Sequence, residues 1–191
     1  MKITKIALVL VGFVAMVGIV AHAQTQVLVS GTTNGAFGNP IDQAVPFVSA
    51  LTVDGPGTIT VTYVSGTVTD VDGEHGPNGE DFKCGQYSIQ TPLQEAHGVA
   101  GGKCKYVDAL IGVFVPQTRV QDRRGFNPID GTKNLTRVGI MPGWLFLIGE
   151  SKSFPVKQAG TLYLGINDMI VGDNGGGFNV EVSFQQLRAR R

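Results

Sequence analysis

The feature that most constrains this chain is a two-residue period that appears twice, far apart. In Thr58-Ile59-Thr60-Val61-Thr62-Tyr63, apolar residues alternate with threonines. Successive side chains of a strand point to opposite faces, so Ile59, Val61 and Tyr63 share one face and the hydroxyls take the other. The same period returns near the end, where Phe178, Val180, Val182 and Phe184 alternate with Asn179, Glu181, Ser183 and Gln185. Leu162, Leu164 and Ile166 give a third strand. Shorter apolar runs at Val27 to Val29, Val45 to Val53, Ala109 to Val115 and Trp144 to Ile148 read as further strands. With 27 glycines and nine prolines punctuating the rest, the expected fold is all-β, an antiparallel two-sheet β-sandwich.

Two long loop excursions interrupt the regular spacing of strands. Val71 to Lys105 contains Cys84, Cys104, His75 and His97, and Pro116 to Gly143 carries Arg119, Arg123, Arg124, Lys133 and Arg137 against Asp122 and Asp130. Long loops on a rigid sandwich are where binding function usually sits.

The first 23 residues read as a secretory signal. Lys2 and Lys5 precede an apolar run from Ile6 to Val20, and Ala21-His22-Ala23 has the small-x-small cleavage pattern. A membrane span wants roughly 20 apolar residues, more than this run supplies. The expected location is therefore secreted or periplasmic, with residues 24–44 as an extension or first strand, the sandwich over 45–186 and a basic tail at 187–191. Removing Lys2 and Lys5 from 15 basic residues leaves 13 against 15 acidic ones, a net charge of −2. Such a balance provides no field for nucleic acid. No membrane span is expected after signal cleavage, and the formation of homo-oligomers is left open.

Cys84 and Cys104 are an even pair in an expected oxidising compartment, which makes a disulfide the default reading. Closing a loop of about 20 residues stabilises a fold by roughly 3 kcal/mol in the chain-entropy picture. The alternative, zinc held with His75 or His97, matches no familiar ligand spacing.

The stretch NDMIVGDNGGG, residues 167–177, concentrates carboxylates and carboxamides between two strands. Asp168, Asp173 and the Asn174 carboxamide are hard oxygen donors, and the glycines around them let the backbone fold tightly. That is what a calcium ion asks of a loop, whereas a transition metal prefers the imidazole or thiolate that this loop lacks. An Asx-rich hairpin turn accounts for the same composition. A second acidic stretch, Asp70 to Gly79, fails as an EF-hand: its sixth position is His75 and its twelfth Asp81, where glycine and glutamate belong. It reads as a loop whose oxygens could approach the first cluster. Loop histidines such as His75 and His97 are taken as solvated.

Gly160 to Val182 resembles the carboxy-terminal half of the LecA (PA-IL)-like galactophilic lectins and their bacterial relatives. Gly76-Pro77-Asn78-Gly79 and Ala109-Leu110-Ile111-Gly112 fall in the order of that family's Gly-Pro-x-Gly loop and Ala-Leu-Ile-Gly strand. The resemblance spans about Val45 to Phe184 and is specific over its last third. It implies a β-sandwich of galactose-binding-like or jelly-roll type that binds carbohydrate through Ca2+. Asp168, Asp173 and Asn174 would be side-chain ligands, with backbone carbonyls supplied near Met169 and Ile170 and from just before Gly76-Pro77. Asp168 and Asp173 would also meet the sugar, alongside His97 and Gln94. Two departures stand out: Asp173 occupies a position where the lectins have asparagine, and the loop between the aspartate and the Asx pair is shorter here.

The expected function is thus a non-enzymatic, calcium-dependent carbohydrate-binding protein. The alternative is a structural or adhesive envelope protein in which calcium only stiffens the sandwich. A hydrolase is the remote third, since neither Gly-x-Ser-x-Gly nor His-Glu-x-x-His occurs.

Overall fold

The computed structural model describes residues 23–33, 47–83, 103–117, 145–168 and 172–187. The twelve elements among the described residues are all β-strands. In chain order they are β1 (Ala23–Ser30), β2 (Val48–Val53), β3 (Gly57–Ser65), β4 (Val68–Thr69), β5 (Glu74–His75), β6 (Glu80–Lys83), β7 (Lys103–Val107), β8 (Leu110–Pro116), β9 (Leu145–Leu147), β10 (Ser151–Val156), β11 (Gly160–Ile166) and β12 (Gly175–Gln186). Every ladder is antiparallel.

One sheet runs β10-β3-β12-β4-β5 with β1 on the free side of β12; the other runs β2-β11-β8-β9. The strands with the clearest alternation are the central ones. In the first sheet β12 pairs with β1 along one edge and with β3 along the other, setting Val182 opposite Val61 and Phe184 opposite Ile59. In the second, β11 lies between β2 and β8. A central strand must match neighbours on both sides, which leaves its pattern least free to vary.

The two inner faces meet in one core. Ile59, Val61, Leu162, Leu164, Phe178, Val180 and Val182 are all buried in it, and Tyr63 packs against its margin. The Tyr63 ring stands edge-on to Phe178, centroids 5.9 Å apart, and its hydroxyl donates to the Gly66 carbonyl. Hydroxyls occupy the opposite face, where Thr60 and Ser153 pair at 2.8 Å. The expectation of an all-β antiparallel sandwich therefore holds.

The second sheet departs from simple alternation because both of its faces are covered. Leu162, Leu164 and Ile166 point inward, while Tyr163 joins Phe47, Ile111, Val113 and Val115 in a separate buried cluster. Hence Ala109 to Val115 reads as an unbroken apolar run.

β6 and β7 form a small separate ribbon inside the first excursion. Cys104 lies in β7 opposite Phe82, but Cys84 falls outside the described residues, as do the expected signal up to residue 22, positions 118–144 of the second excursion and the tail from Arg188. No helix among the described residues is long and apolar enough to cross a membrane.

Candidate metal centre

Four turns and strand ends converge at one end of the sandwich. They are the stretch after β1, the β4–β5 turn, the β7–β8 turn and the connection from β11 to β12. Each brings a polar group to the same spot.

The β4–β5 turn is closed by its own aspartate. Asp70 Oδ1 accepts from Asp72 N at 2.7 Å and Gly73 N at 3.0 Å, the Asx arrangement in which a short carboxylate substitutes for backbone turn bonds. The turn returns the chain so that His75 faces it, with Nε2 at 2.9 Å from Asp70 Oδ1. His75 is 6% exposed, which corrects the reading of it as a solvated loop histidine. Its burial follows from β5 pairing with β4, which sets His75 opposite the buried Val68.

The β7–β8 turn holds Asp108, fully buried. Tyr106 and Asp108 both adopt left-handed backbone, at φ 56° and 61°, a conformation that costs of order 1 kcal/mol or more for residues other than glycine. Surrounding bonds enforce it. Asn167 donates through Nδ2 to Tyr106 O at 2.7 Å, Asp108 N donates to Asn167 O at 3.1 Å, and Leu110 N donates to Pro77 O at 2.9 Å. Asn167, the first carboxamide of the NDMIVGDNGGG stretch, is thus a strut for the Asp108 turn.

The β11–β12 connection contributes Asp168 and Asn174, each 9% exposed. Asn174 Nδ2 is surrounded by three oxygens: Gly31 O at 3.1 Å, Asp168 Oδ2 at 3.0 Å and Asp108 Oδ1 at 3.4 Å. Gly31 comes this close because it lacks a side chain; a Cβ there would sit 2.5 Å from Gly175 O.

The electrostatics follow from putting three carboxylates together out of water. Burial pushes the Asp108 carboxyl up to about 8, and the charges of Asp168 and Asp70 add to the rise. Burial by itself would lower the His75 pKa, but the hydrogen bond to Asp70 and the charges of Asp108, Asp70 and Glu80 raise it above its ordinary value. For Asp70, burial is outweighed by the His75 bond and two backbone N–H groups, and its pKa is lowered. Asp108 Oδ2 is buried with no hydrogen-bond partner, and the same is true of Asn174 Oδ1. Orphaned acceptors of this kind are costly unless a cation or proton meets them.

Asp70, His75 and Asp108 each present a ligand atom within 4.8 Å of the others, a group able to hold a metal ion. The sequence singled out Asp168 and Asn174, which the structure brings to this centre. Asp173 is exposed, and no hydrogen bond among the described residues joins it to them. Met169, Ile170, Gln94 and His97 lie outside the described residues. The second acidic stretch does approach the first, through Asp70 and His75. Asp108 escaped the sequence reading; its one signal was an aspartate at the head of the apolar Ala109 to Val115 run. The 167–177 loop itself carries no imidazole, but His75 arrives beside Asp108 from another turn.

No protein-family model matches the chain, and no curated protein matches it significantly.

Proposed function

We propose that this chain is a secreted or periplasmic, calcium-dependent carbohydrate-binding protein of lectin type. The observation that carries the reading is the shell of oxygens around the Asn174 carboxamide. Turned by half a rotation, that group presents Oδ1 where Nδ2 stands and brings four oxygens together, from Gly31, Asp108, Asp168 and Asn174. Only a cation makes such a set favourable, and hard oxygen donors in a flexible arrangement suit calcium, which takes 6 to 8 of them. The carbohydrate part rests on the resemblance of Gly160 to Val182 to calcium-dependent galactophilic lectins, in which the ion keeps positions for vicinal sugar hydroxyls.

A second reading has its own support. Asp108 is wholly buried, so one side of the ion would be sealed within the fold, as in an ion that only fastens loops. Titration calorimetry separates the two. The lectin reading expects calcium to bind with one strong equivalent and a galactose-type monosaccharide to bind only in its presence. Calcium binding with no response to any monosaccharide would leave the structural role, and no calcium binding would end both.

A further inference from the structure

We propose that the centre holds a second cation subsite, of zinc type, built from Asp70 Oδ1, His75 Nε2 and Asp108 Oδ2, with Asp108 bridging it to the calcium subsite. The division lies in the Asp108 carboxylate. Its Oδ1 faces the Asn174 amide at 3.4 Å, whereas its Oδ2 lies 3.8 Å from His75 Nε2. Each oxygen therefore belongs to a different set of donors. One set is all oxygen; the other contains an imidazole.

Three further observations make the imidazole side a site in its own right. Asp108 Oδ2 is buried and has no hydrogen-bond partner, so the position between it, Asp70 and His75 is short of positive charge. The ligand atoms lie within 4.8 Å of one another, near enough for one ion to draw all three in. Finally, the remote ring nitrogen, Nδ1, lies 3.4 Å from Glu80 Oε2. A carboxylate behind the far nitrogen fixes the tautomer and raises the basicity of the near one, the usual support of a metal-binding histidine.

Charge counting points the same way. Once ions displace the Asp108 proton, Asp70, Asp108 and Asp168 bring three negative charges to one region, and a single divalent ion neutralises two. A second ion on the His75 side meets the remainder, and Asp108 serves both. One nitrogen and two carboxylate oxygens suit zinc better than calcium, and three protein ligands leave a fourth position for water or another small ligand. This subsite stands on the Asp70–His75–Asp108 geometry and does not depend on glycan binding.

The test is calorimetry and metal analysis on the full exported chain, using zinc alone, calcium alone and zinc added to the calcium-saturated protein. The expected result is one zinc equivalent that binds on top of calcium. His75→Ala should weaken zinc by more than about 100-fold and Glu80→Gln by about 10-fold, each by far more than it changes calcium affinity, while Asp168→Asn should weaken calcium by far more than zinc. One equivalent of calcium still bound, with an unchanged β-type circular dichroism spectrum, shows that the variants fold. Zinc bound through His75 with no calcium bound at all would support this subsite and end the calcium reading. Zinc and calcium displacing each other to a total of one equivalent, or zinc binding indifferent to His75→Ala and Glu80→Gln, would overturn it.

Discussion

Asn174 donates through Nδ2 to Asp168 Oδ2 over 3.0 Å, spanning the connection between β11 and β12. The pair sits at the root of the central strand of one sheet and the end of the central strand of the other, so whatever binds between them is held by both.

The first prediction concerns these two residues and their neighbour. Asp168→Asn removes a carboxylate that faces the centre and should lower calcium affinity by on the order of ten-fold or more, since ligand charge sets affinity in such sites. Asp173→Asn, at an exposed position, should lower it much less. Calorimetry on both variants decides; a larger effect at Asp173 would mean that the connection rearranges around the ion.

The second follows from Asp108. Its carboxyl ionises at about 8 in the folded chain against 3.8 ordinarily. Between those values the metal-free folded form keeps a proton that the unfolded form has released, so stability falls as pH rises from about 4 to 8. His75, with its pKa raised from 6.5, acts in the same direction: its contribution is complete below its ordinary value and lost as pH climbs through the folded one. Asp70, lowered, matters only in acid, where its contribution fades below its ordinary range. Denaturation in chelator at about pH 5 and pH 8 should show the decline, and saturating calcium should reduce it. Asp108→Asn should flatten the profile in chelator and abolish the calcium response.

Much of the fold, and part of the centre, was legible in the chain. Strands β3, β11 and β12 declared themselves because each has one face in the core and, in β3 and β12, polar residues on the other. Strand β10 did not, since it is an edge strand with Pro155 in it, tolerated only because an edge needs fewer ladder bonds. Asp168 and Asn174 were visible because they lie in one short polar stretch between two strands. Asp108 and His75 were not, as nothing in a linear pattern records that a turn after β4 and a turn before β8 share one end of the sandwich.

A third prediction tests how the Asp108 turn is held. Gly79 adopts φ +62°, and a Cβ there would collide with Val107 O and lie 2.7 Å from Ala109 N. Gly79→Ala should therefore destabilise the protein by about 1 to 3 kcal/mol and weaken metal binding, because the same turn supplies the Pro77 carbonyl that receives Leu110 N. Chemical denaturation with and without calcium measures both effects.

A fourth concerns the core alone. Phe178 is fully buried and meets the edge of Tyr63. Phe178→Ala should cost about 3 to 5 kcal/mol while calcium stoichiometry stays the same in whatever fraction folds. A loss of stoichiometry at unchanged stability would contradict the separation of core and centre.

The convergence of strand ends has a kinetic consequence. Asp168 and Asp108 hang from the second sheet, Asn174 and Asp70 from the first. An ion among them would tie the two sheets together at that end, so the opening of β8 and β12 at their roots should become rarer when it binds, and amide exchange there should slow.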